Sequence, residues 1–73
     1  MMDVSTRTDP ETGDVWVVAS CRVENGETSV YQVRVPYLDT METEDVYKRK
    51  IQDAITLATT RLRRMLDAHH SGN

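Results

Sequence analysis

The chain changes its hydrophobic period once. Up to Pro36 apolar and polar residues alternate, which is the period of a half-buried strand. Beyond residue 40 they recur every third or fourth position, which is the period of a helix. Within residues 14–23, "DVWVVASCRV", one face collects Val15, Val17, Ala19, Cys21 and Val23. Within residues 28–35, "TSVYQVRV", Tyr31, Val33 and Val35 repeat the pattern before Pro36 ends the run. Residues 3–8, "DVSTRT", are less apolar but rich in β-branched side chains. The turn "DPETG" separates the first two runs: proline presets φ and Gly13 supplies a left-handed position.

The second connection poses a choice. Asn25-Gly26 is a common two-residue hairpin turn, and would set Glu24 opposite Glu27. That register puts Val17 across from Arg34 and Ala19 across from Gln32, mixing apolar and polar side chains on one face. A three-residue loop, Glu24-Asn25-Gly26, with Gly26 at a left-handed bulge, pairs Val23 with Glu27 instead. Ala19 then faces Tyr31, Val17 faces Val33 and Val15 faces Val35, so one face is wholly apolar. A one-residue slip turns half of that set toward water, and each large side chain buried is worth ~1.5–3 kcal/mol. The alternation therefore decides, and a bulged three-residue hairpin is expected. The same parity across the first turn pairs Thr8 with Val15, Thr6 with Val17 and Val4 with Ala19.

In the second half Tyr47, Ile51, Ala54, Ile55, Ala58, Leu62, Met65 and Leu66 share one helical face. Asp39 or Thr40 is the expected cap. Glu42, Glu44 and Asp45 suit the positive end of the dipole, and the arginines of "TRLRRM" suit the negative end. The pattern predicts a helix over about residues 41–68, with 69–73 fraying. At about 1.5 Å per residue it is ~40 Å long, longer than strands of this length, and so overhangs its sheet. The expected fold is α+β in one domain: a three-stranded antiparallel meander (residues 3–8, 14–23 and 28–35), then one long helix across one sheet face.

Length now changes the picture. A chain of 73 residues buries only about 60% of its unfolded surface, so its core needs help. The single cysteine, Cys21, excludes an internal disulfide, and Cys, His and Asp do not cluster at zinc spacing. Self-association remains, and a homodimer is expected. The lone thiol suits a reducing cytoplasm. "MMDVSTRTDPETGD" has neither the basic nor the apolar region of a secretory signal, and nothing approaches the ~20 apolar residues of a membrane span.

Net charge is −3, yet residues 1–41 carry seven acids against three arginines, while residues 46–73 carry six basic residues against two acids. A basic helix suggests nucleic acid, but the acidic remainder weakens the long-range field such binding exploits. Within the helix, Glu44–Lys48, Asp45–Arg49, Arg49–Asp53 and Arg63–Asp67 are spaced i,i+4 as internal pairs. Lys50, Arg61 and Arg64 remain, close together on the helical wheel beside Leu57. They are the candidate nucleic-acid contacts; a solvated charged face is the plainer account.

No catalytic pair, metal set or cofactor motif stands out. Adjacent His69 and His70 diverge by ~100° on a helix and cannot chelate alone. Cys21 reads as a small inward-facing hydrophobe. Two surfaces carry the functional expectation instead. The sheet face opposite the helix presents Trp16, Val18, Val30, Gln32 and Arg34, with Arg7 beside the tryptophan, and Trp and Arg are typical centres of protein interfaces. Sheet-borne aromatics also stack on single-stranded bases, and arginine stems shielding a surface tryptophan are the plainer reading. The edge of residues 28–35 offers Val30, Tyr31, Val33 and Val35 with one charge, inviting a strand from another chain unless the backbone after Pro36 folds over it.

The sequence thus points to a non-enzymatic interaction protein, an adaptor, accessory subunit or inhibitor, acting on an unidentified protein as a homodimer. One form is an inhibitor whose hairpin-tip acids Asp9, Glu11, Asp14, Glu24 and Glu27 mimic phosphates. The alternative is a nucleic-acid binder using Lys50, Arg61 and Arg64 of paired helices.

Overall fold

Side-chain alternation sets the strand pairing. The computed structural model describes residues 2–24, 26–37 and 43–72, with side chains through Ala68. Its elements are β1 (Met2–Thr8), β2 (Val15–Arg22), β3 (Thr28–Val35) and α1 (Glu44–Gly72). The strands form one antiparallel sheet in the order β1-β2-β3. Ala19 pairs with Tyr31, Val17 with Val33 and Val15 with Val35. Thr8 pairs with Val15, Thr6 with Val17 and Val4 with Ala19. The apolar face has won over the Asn-Gly dipeptide. At the hairpin the Val23 amide donates to the Glu27 carbonyl at 2.9 Å, the Gly26 amide donates to the Val23 carbonyl at 3.0 Å, and Gly26 has φ +90°. This is the bulged loop the alternation requires.

The first connection is one residue longer. The Gly13 amide donates to the Asp9 carbonyl and the Asp9 amide to the Asp14 carbonyl, each at 2.8 Å. Asp9 Oδ1 accepts the Glu11 amide at 2.9 Å, which fixes the turn from within.

Thr43 caps α1: its Oγ1 accepts the Val46 amide at 3.2 Å, leaving Glu44 and Asp45 in the positive first turn. The expected caps, Asp39 and Thr40, and the expected start near residue 41 lie outside the described residues. The helix extends to Gly72, past residue 68. No proline or glycine interrupts residues 69–71, so nothing in the chain stops the ladder earlier.

The core is small. Val15, Val17, Ala19 and Val35 meet Ala54, Ala58 and Leu62, with Tyr31, Val33, Tyr47, Ile51, Ile55 and Leu66 packed around them. Small residues on the inner face of α1 let it approach β2 and β3 closely, and it contacts β1 only slightly. Tyr31 and Val33, expected to be fully covered, stay half-buried, because the helix leaves the side toward the β3 edge open. On the other side Val4, Thr6 and Thr8 share the apolar face yet are exposed.

The result is long and thin, 47 × 21 × 17 Å. Its radius of gyration is 14.4 Å, where a compact chain of this length has about 11 Å. It exposes 5665 Å², where a folded monomer of this mass exposes about 4,600 Å².

Candidate interaction site

The β3 edge begins with the hydrogen-bond phase of the sheet. Residues opposite one another in antiparallel strands alternate between bonded and non-bonded pairs. The Val23–Glu27 bond sets the phase, so Ser29, Tyr31, Val33 and Val35 bond to β2. Thr28, Val30, Gln32 and Arg34 therefore direct their amides and carbonyls outward. The first turn gives the same phase independently, since the Asp9–Asp14 bond assigns Trp16, Val18 and Ser20 to β1. Of the four residues expected to form a dimer edge, Val30 thus offers backbone groups. Tyr31, Val33 and Val35 offer side chains on the helix face.

The path of the chain after β3 decides whether that edge is open. Pro36 lies across from Asp14 at an outward-facing position, so its missing amide costs the β2 ladder nothing; the next amide in phase is that of Tyr37, which is met by the side chain of Asp14. Asp14 Oδ1 accepts that amide at 2.8 Å, and its Oδ2 lies 3.7 Å from the Arg34 guanidinium. The Tyr37 ring packs on Gly13, whose φ is +81°. This clasp draws the chain toward the start of β2 and away from the β3 edge. Residues 38–42, on which the remaining possibility of a cover over the edge falls, lie outside the described residues.

Beside the edge, the unroofed strip between β3 and α1 forms an open groove of about 340 Å³ lined by Val33, Val35, Pro36, Ala54 and Leu57, with Arg34, Lys50 and Asp53 at its rim. Leu57 is 42% exposed and Val46 45%.

On the opposite face Arg7, Trp16 and Arg34 lie in one row across the three strands, with Ser5, Val18 and Gln32 in the next. Trp16 and Val18 are half-buried, Val30 and Gln32 exposed. By strand parity all three arginines of the strand region, Arg7, Arg22 and Arg34, point to this face, with Asp3 as its only strand-borne carboxylate. Arg34 is 57% exposed at its side chain even with Asp14 beside it.

Lys50, Arg61 and Arg64 are exposed along one flank of α1, the flank that borders the groove. The Lys48–Glu44 pair expected from its spacing is formed, at 3.8 Å. The acidic hairpin tips do not converge: Asp9, Glu11 and Asp14 sit at one end of β2 and Glu24 and Glu27 at the other. Cys21 is half-buried at the end of the core, less covered than the sequence suggests. Among the described residues no group of three His, Cys, Asp or Glu side chains is placed to hold a metal, and no helix is long and apolar enough to cross a membrane.

Sequence reasoning named Leu57 only as a neighbour of the cations, and missed the clasp of Gly13, Asp14 and Tyr37. The register carried a partial signal for the clasp, because it sets Asp14, a side-chain acceptor, beside the residue where β3 ends. Comparison with protein-family models, curated proteins and solved structures finds no match to this chain.

Proposed function

We propose that this chain is a non-enzymatic protein-interaction module, an adaptor, accessory subunit or inhibitor, that works as a cytoplasmic homodimer. The supporting observation is surface left over. The chain exposes about 1,000 Å² more than a monomer of its mass needs, and one partner in a standard interface buries about 800 Å². Part of the exposed apolar surface, Leu57 and Val30, lies beside or on the strand whose edge carries few guards. The face around Trp16 is the surface for the target. A half-buried aromatic between two guanidinium groups, with apolar Val18 and Val30 nearby, suits a protein segment that brings carboxylates and an apolar anchor. The free thiol of Cys21 suits a reducing compartment.

Sedimentation velocity tests the dimer: the expected mass is twice that of the chain, and a monomer throughout the micromolar range refutes it. Trp16→Ala tests the face, and should abolish target capture while leaving the dimer intact. A second reading rests on the flank of Lys50, Arg61 and Arg64, a cationic line facing solvent in the single chain. It predicts oligonucleotide binding that falls steeply between ~50 and 200 mM salt.

A further inference from the structure

We infer that the groove between α1 and β3 is closed by a second copy of this chain. In this arrangement β3 pairs antiparallel with its two-fold mate, and the Leu57 flank of α1 packs against the same flank of the partner helix. The inference rests on the homodimeric reading and supplies its geometry.

The sideways placement of the helix carries it. α1 packs on β2 and β3 to a similar extent and on β1 little; with strands ~4.8 Å apart, an axis midway over β2 and β3 stands ~2.4 Å inside β3. A two-fold axis between β3 and its mate adds the same distance on each side. The two helix axes then lie ~9–10 Å apart, within the 8–10 Å of packed helices. A helix centred over β2 would stand ~14 Å from its mate and touch nothing. The displacement that bares Val4 on one side therefore brings Leu57 to the contact on the other.

The contact is self-complementary. A two-fold perpendicular to the sheet runs the helices antiparallel. With Leu57 on the axis, Asp53 comes level with the partner's Arg61, and Arg61 with the partner's Asp53. Lys50 comes level with the partner's Arg64, a like-charge pair whose long stems reach the rim. In the sheet, a two-fold at Gln32 sets Tyr31 beside the partner's Val33, covering the two residues that α1 leaves half-buried. It also sets Val30 opposite the partner's Arg34 and keeps the two Arg34 side chains apart. The groove residues place Leu57 close to Val33, so one axis serves both layers. The product is a six-stranded sheet with two adjacent helices on one face.

Disulfide trapping tests this. In a Cys21→Ala background, Leu57→Cys and Val4→Cys replace residues that are each 42% exposed, one at each side of α1. A disulfide needs Cα atoms about 4.4–6.8 Å apart, which the axis provides at position 57 alone. Mild oxidation should link Leu57→Cys at least tenfold faster than Val4→Cys. Leu57→Arg, at a position exposed in the single chain, should weaken the dimer tenfold or more and leave the helical circular dichroism unchanged. A stable dimer without preferential linkage at position 57 overturns this geometry while leaving the homodimer standing. A monomer at every concentration up to about 100 µM overturns both.

Discussion

Gly13 and Gly26 make a matched pair in which the same substitution should have different effects. Both have positive φ, +81° and +90°, where an alanine costs ~1–2 kcal/mol. Alanine also narrows the unfolded ensemble, which returns ~0.4–1 kcal/mol. For Gly26→Ala that is the whole account, because an added Cβ there meets nothing within 4 Å. The net loss should be about 1 kcal/mol. At Gly13 the added Cβ runs into the Tyr37 ring, with Cε2 at 3.0 Å and Cγ at 3.1 Å. Contact at Cγ lies on the axis of ring rotation, so turning the ring about Cβ–Cγ does not relieve it and the side chain must leave Gly13. Overpacking in a core costs ~1–3 kcal/mol, and because the Tyr37 ring is 66% exposed and can swing outward the low end applies, so Gly13→Ala should lose about 2 kcal/mol in total. Urea titration followed by circular dichroism, at one protein concentration for all variants, measures the difference; for a domain this size each kcal/mol also moves Tm by ~4–8 °C. In a Tyr37→Ala background the excess should vanish, leaving Gly13→Ala no worse than Gly26→Ala. Equal losses for the two glycines with Tyr37 present would refute the packing of the Tyr37 ring on Gly13.

Proline substitutions along β3 should divide by parity. Gln32→Pro removes an outward amide and should dissociate the proposed dimer in sedimentation while strand content in circular dichroism persists; Val33→Pro removes a bond to β2 and should unfold the chain. Leu62→Ala, at 0% exposure, should cost ~2–5 kcal/mol in urea titration, whereas Leu57→Ala should cost a single chain far less. Thr43→Ala removes the acceptor for the Val46 amide and should lower stability by ~0.5–2 kcal/mol with a matching loss of helical signal.

The strand register was legible because parity is all-or-none: Val15, Val17 and Ala19 either share a face with Val33 and Val35 or they do not. The row of Arg7, Trp16 and Arg34 came from it without further information. Which strands the helix covers was not legible in the same way. A helical wheel says that Ala54, Ala58 and Leu62 face the sheet, but not whether β1 or β3 lies beneath them. Packing decides that, and the inner-facing residues show the reason: β3 offers Tyr31, Val33 and Val35, whereas β1 offers Val4, Thr6 and Thr8. The groove at Leu57 depends on that displacement, so it could not be found from periodicity. The Thr43 cap was obscured by earlier residues of the right type, Asp39 and Thr40, and the hydrogen bond to Val46 identifies it.

The unequal edges of the sheet bear on how assembly stops. A contact between two identical borders consumes both and leaves no copy of itself exposed, so it halts at a pair; a β3 border meeting β1 of the next molecule would repeat without limit and grow a filament. β1 carries Asp3 and Arg7 on one face and threonines on the other, with Val4 as the only aliphatic residue in its interior. Such a border is a poor template for β3. In the proposed dimer the polar character of the first strand keeps the pairing from repeating.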